Sequence, residues 1–128
     1  MATTQDNAPS IVQLNPITTL SSTLVAATSP TVWPSVAIPA GNTLTQVWLP
    51  AETFAAGNLT FNVSFDNTNF YPLKNPDGTA YTLTVGALTL GSAYYIDPTV
   101  FAGTKYVQAV STVSQANSTV INFTVKPV

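Results

Sequence analysis

The chain has 128 residues, of which 45% are hydrophobic and only 6% charged; three lysines, no arginine and no histidine stand against five acids, where soluble domains usually carry roughly 25% charge. Disorder is disfavoured, because disordered segments combine low hydrophobicity with high net charge. Nucleic-acid binding is disfavoured too, since counterion release and base readout need several cations, arginine above all. Without histidine there is no ordinary switch near neutral pH, without cysteine there is no disulfide or thiolate chemistry, and no apolar run of about 18 residues is present to span a bilayer as a helix.

Taken in chain order, residues 1–10 (MATTQDNAPS) are polar, aperiodic and end in proline. They carry an acid and no basic stretch, so they do not read as a secretory signal; the expectation is a soluble protein kept inside its producing cell until assembly or lysis. Residues 1–14 are predicted to form an N-terminal arm and residues 15–128 a single all-β domain, an antiparallel sandwich or jelly-roll-like fold. From Ile11 the sequence turns strand-like, dense in β-branched residues through IVQL and ITTLSSTLVA. The segment SPTVWPSVAIPAG (29–41) is broken by three prolines, which predicts a loop with one short strand.

A two-residue period follows. In LTFNVSF (59–65), Phe61, Val63 and Phe65 share one predicted face, and Asn62 and Ser64 the other. Tyr81, Leu83 and Val85 alternate with threonines, and Ile121, Phe123 and Val125 alternate with Val120, Asn122 and Thr124. Such alternation marks strands with one face in a core. LTQVWL (44–49) and KYVQAV (105–110) read as strands of less decided facing, and AETFAAG (51–57) as one possible helical turn. FDNTNF (65–70) is a turn supplied with side-chain oxygens by Asp66, Asn67 and Asn69. NPDG (75–78) is a hairpin signal: Pro76 presets φ and Gly78 accepts the left-handed conformation, so 70–74 should pair with 79–85. Short strands separated by turns argue for a sandwich or jelly roll.

Few side chains could carry chemistry. Asp6 lies on the arm, Asp66, Asp77 and Asp97 lie in predicted turns, and Glu52 fits the start of a helical turn. A glycosidase needs only two carboxylates, but a nucleophilic serine would here have no histidine base, and the expectation is a protein that is not an enzyme. Asp66, Asn67 and Asn69 could face calcium, yet only one is charged and a plain turn explains them; no metal and no cofactor is expected. Four Asn-x-Ser/Thr triplets, at Asn58, Asn62, Asn117 and Asn122, are what a chain this rich in those residues produces by chance. Both tryptophans admit stacking on a sugar; Trp48 on a strand is predicted to be core instead, whereas Trp33 between prolines is a candidate for exposure or a subunit contact. Tyr71, Tyr94 and Tyr95 raise the same choice between interface and core edge.

The runs LTFNVSFDNTNFYPLKNPDG, YYIDPTVFAGTKYVQAVS and QANSTVINFTVKPV resemble, in that order, a family of small virion structural proteins of tailed bacteriophages. The matching features are Ser64–Asp66, Phe70–Pro72, Asp77–Gly78, Ile96–Gly103 and Gln115–Val125, so the likeness covers roughly residues 40–128. The chain departs from that pattern in lacking arginine near the FAG segment and the C-terminus. The resemblance implies a β-sandwich subunit on the capsid surface, made in the host bacterial cytoplasm, with the major capsid protein and other copies of itself as partners in a closed homo-oligomer. A nearly uncharged subunit can occupy many neighbouring sites without self-repulsion, which fits a decoration or cement role. The arm and the 29–41 loop are then expected to make most contacts, through Asp6, Pro9, Ile11, Trp33 and Pro34, with Tyr71 and Val120 as further interface candidates. The alternative is a fibre or head-surface module that binds a host-surface glycan through Trp33 and nearby tyrosines.

Overall fold

The computed structural model describes residues 18–50, 57–83 and 91–128. The predicted arm with Asp6, Pro9 and Ile11, the AETFAAG turn with Glu52, and Val85 lie outside the described residues. Nine strands are described: β1 (Thr18–Leu24), β2 (Val36–Ala37), β3 (Asn42–Trp48), β4 (Leu59–Ser64), β5 (Tyr71–Pro72), β6 (Thr82–Leu83), β7 (Ala93–Tyr95), β8 (Tyr106–Ser111) and β9 (Thr119–Pro127). They form two antiparallel sheets, one ordered β1-β9-β3-β7 and the other β2-β8-β4-β5, with β6 also paired to β4. The all-β sandwich expected from the alternating runs is therefore present.

The pairing has a simple logic. β1 lies beside β9, β2 beside β8, β3 beside β7, and β4 beside β5 and β6. First strand pairs with last, and so inward to the middle: the chain is one long hairpin rolled into two sheets, the strand order of a jelly roll.

Alternation fills the space between the sheets. Ile121, Phe123 and Val125 of β9 are buried while Val120, Asn122 and Thr124 face outward. Leu59 and Phe61 of β4 and Val107 and Ala109 of β8 close the core from the other side. Each large aliphatic or aromatic side chain so buried contributes about 1.5–3 kcal/mol. Phe61 meets Phe101 edge to face with ring centroids 5.2 Å apart, and Tyr81 packs against both.

Three sequence expectations need correction. Phe65 does not share the face of Phe61 and Val63; it is 68% exposed, and Ser64 is buried instead. The Ser64 hydroxyl accepts hydrogen bonds from the backbone N–H groups of Asp66 and Asn67. The chain therefore turns at Ser64, and the two-residue period ends there. Trp33 is fully buried rather than exposed. Val32 bridges Val110, and the Trp33 N–H donates to the Ala109 carbonyl at 3.0 Å. The proline-flanked segment thus lies along β8, and Trp33 turns inward to fill the interior. Its indole Nε1 donates to the Thr119 carbonyl at 3.1 Å, so a residue of the loop is tied to the last strand. Trp48, expected in the core, is 44% exposed.

The cause of the last correction is a β-bulge. Thr124 pairs with Gln46, but Val125 pairs with Leu44, so the register shifts and Thr45 is the extra residue. A bulge changes the phase of a strand. Leu44 points into the core on one side of it and Val47 on the other, and Gln46 and Trp48 are left on the outer face.

The hairpin at NPDG is also an excursion from an edge strand. Pro72 pairs with Asn62 and Thr82 pairs with Thr60, on the same β4. Residues 73–81 leave and rejoin that edge opposite the single residue Phe61, whose carbonyl accepts from the Leu73 N–H at 2.8 Å. At the tip, Gly78 has φ of 90° and its N–H donates to the Asn75 carbonyl at 2.9 Å, the left-handed role expected of it.

Candidate functional site

The three described acids are committed to turns. The Asp66 carboxylate accepts from the N–H groups of Asn69 and Thr68, from the Asn69 side-chain amide and from the Ser64 hydroxyl, and Asn67 beside it takes φ of 61°. Asp77 accepts from the hydroxyl and N–H of Thr79, and Asp97 from the N–H and hydroxyl of Thr99. Hydrogen bonds to the ionised form favour it, and all three carboxyls are held below the usual carboxylate range. A group so held is ionised at neutral pH and cannot act there as a general acid. At Asp66 the donors are the local ones of a plain turn, four bonds reaching its carboxylate from within residues 64–69.

What the described surface offers is aromatic area. It falls in two places. The first is one end of the sandwich. Ser64, at the close of β4, pairs with Tyr106 at the start of β8. Phe65 and Tyr71, 68% and 56% exposed, border a hollow of about 170 Å³ together with Gly103, Thr104 and Lys105. In the rolled-hairpin order, the start of β1, the end of β9 and the 65–70 and 96–105 connections all lie at this end. Thr18 pairs with Val125, and the Thr43 hydroxyl donates to the Pro98 carbonyl. The first described residue thus enters the fold at this end of the sandwich, on the edge strand β1 of the other sheet.

The second is the outer face of the first sheet. Across it run Tyr95, Gln46, Thr124 and Thr19 in one row, and Ala93, Trp48, Asn122 and Ser21 in the next. Tyr95 is 77% exposed and stands diagonal to Trp48 on the neighbouring strand, about 7–8 Å away by sheet geometry. Between and beside the two rings lies a groove of about 550 Å³ whose polar lining includes Gln46, Thr124 and Lys126. A smaller hollow of about 220 Å³ lies against Trp48 on the side of Thr19 and Asn122. The polar side chains are fixed to one another: Thr45 and Thr124 hydroxyls meet at 3.2 Å, the Thr124 hydroxyl donates to the Gln46 Oε1 at 3.2 Å, and the Ser21 hydroxyl donates to the Asn122 side-chain oxygen.

The sequence-derived candidates are not gathered into one site. Tyr71 lies at the Phe65 end. Val120 is exposed, but at the start of β9 on the outer sheet face, at the far end of the sandwich. Pro34 is exposed in the loop before β2, where its carbonyl accepts from the Ser22 hydroxyl at 2.7 Å. Trp33 offers no surface to a partner. Phe65 and Gln46 are surface residues that the sequence did not single out, and Trp48, weighed for sugar stacking but expected in the core, is exposed. For Trp48 the sequence pulls both ways: Gln46, two residues back, points outward with it, while Leu44 before the bulge points inward.

No family model, curated protein or solved structure matches the chain.

Proposed function

We propose that the chain is a non-enzymatic decoration subunit of a tailed-phage capsid, seated on the outer shell against the major capsid protein and neighbouring copies of itself. The observation that carries this reading is the end of the sandwich where Phe65 and Tyr71 stand exposed around a hollow. Large exposed aromatic side chains are the usual anchors of protein interfaces. An arm leading away from the same end would extend the contact onto a neighbouring subunit. The low charge of the chain supports the reading, because closely spaced copies would not repel one another. The order of motifs over residues 40–128, which reads as resembling phage virion proteins, is the sequence ground for it. The jelly roll is compatible with it, being a fold used by viral capsid proteins, but the same fold serves lectins, so function has to rest on the surface.

The test is quantitative mass spectrometry of the purified parent particle. A copy number in fixed proportion to the main shell protein supports the reading. A protein absent from the particle would overturn it. The double variant Phe65→Ser, Tyr71→Ser should lose occupancy on the shell without a drop in melting temperature, since both side chains are already exposed.

A further inference from the structure

The outer face of the first sheet is a different surface from the Phe65 and Tyr71 hollow, shares no lining residue with it, and is built differently. The geometry points to a second function there: a carbohydrate site that takes a pyranose oligosaccharide along the groove between Trp48 and Tyr95. Four features converge. Two large rings stand exposed on adjacent strands, Trp48 opposite Ala93 and Tyr95 opposite Gln46, and exposed apolar area gathered on one face is a mark of a binding surface. Aromatic faces suit the C–H faces of a sugar ring, and the polar tips of such rings suit its hydroxyls.

Gln46 lies between the rings with its amide fixed. The Thr124 hydroxyl occupies its Oε1, which leaves the amide N–H groups to donate outward to a ligand hydroxyl. Asn122 and Thr124 add further polar groups within the same rows. A few placed hydrogen-bonding groups among aromatic walls is the usual make-up of a small-molecule site, and about 550 Å³ is within the usual range of volume.

The third feature is charge. Among the described residues that line the groove only Lys126 is ionisable with a formal charge, so the ligand is not a polyanion and the face does not suit phosphate-rich or nucleic-acid chains. The fourth is length. The groove continues past Trp48 into the hollow bounded by Thr19 and Asn122, so a ligand crossing the indole would have contacts on both sides of it. That favours an oligosaccharide over a single sugar.

The test uses the full chain on an array of immobilised bacterial and animal oligosaccharides, followed by titration of the best soluble pyranose oligosaccharide against intrinsic fluorescence. The chain has two tryptophans; with Trp33 buried, a Trp33→Phe variant that still folds leaves Trp48 as the reporter. The expected result is binding to at least one pyranose series with a change in Trp48 emission, weakened about tenfold or more by Trp48→Ala and by Tyr95→Ala, and weakened also by Gln46→Ala at unchanged melting temperature. An array without binding overturns the proposal. So does binding that survives both aromatic substitutions. Particle occupancy measured on the same variants should stay at the wild-type level, which keeps this site separable from the shell contact.

Discussion

Trp33 and Trp48 are chemically the same and energetically opposite. Trp33 is fully enclosed and ties its loop to Thr119 through the indole N–H, so Trp33→Ala should cost about 3–5 kcal/mol, the usual range for emptying a buried aromatic site. Trp48→Ala removes a ring already 44% in water and should change stability by no more than about 0.5–1 kcal/mol. Urea denaturation of the two variants side by side checks both values. The described acids make a second prediction at this scale. Their folded pKa values lie below the ordinary range, through hydrogen bonds from Asn69 and Thr68 to Asp66, and from Thr79 and Thr99 to Asp77 and Asp97. A carboxyl lowered on folding contributes stability that is complete above its unfolded pKa of about 4 and fades as pH falls through the folded value. Melting temperature should therefore hold level from neutral pH down to about 5 and decline below about 4. Asp66→Asn, which keeps an acceptor oxygen in the turn, should flatten part of that decline.

Among the elements, the 73–81 hairpin depends on one backbone conformation. An added Cβ at Gly78 would meet no atom within 4 Å, so the cost of Gly78→Ala is conformational alone, about 1–2 kcal/mol for a left-handed residue other than glycine. Gly78→Asn should cost less, and chemical denaturation of the two would rank them. This hairpin was legible from NPDG because its turn chemistry is local. So were the facings of β9 and the turn at Asp66, where strict alternation or consecutive Asx residues speak for themselves. The facing of β3 was less plain, because a bulge at Thr45 is decided by the partner strand and leaves no mark on LTQVWL. Trp33 was misplaced for a related reason. Prolines at 30 and 34 rule out regular pairing, but they do not stop a loop from lying on β8 and turning a ring inward. The candidate surfaces were hardest to see, since Trp48 and Tyr95 meet only when β3 and β7, far apart in sequence, become neighbours.

Across the whole molecule, the rolled-hairpin order sets the folding problem. Thr18 must find Val125 and Leu24 must find Thr119, and such distant pairings are entropically late. Refolding followed by stopped-flow tryptophan fluorescence should take milliseconds to seconds, the range of all-β domains with non-local pairing. β9 pairs with both β1 and β3, so truncation before Thr119 should prevent folding altogether. Removing residues 2–10 should leave the melting temperature unchanged and release the protein from particles; full occupancy after that deletion would count against a contact made by the arm. The excursion at 73–81 has a practical consequence as well. The strand edge resumes at Thr82 directly after Pro72 in the register of β4, and Leu73 and Tyr81 at the base of the excursion pack on the core, so only the tip stands clear of the sheet. Foreign peptide spliced between Pro76 and Thr79 would project from the domain without disturbing its ladder. On a shell covered with copies, that hairpin would be a ready handle for dense antigen display.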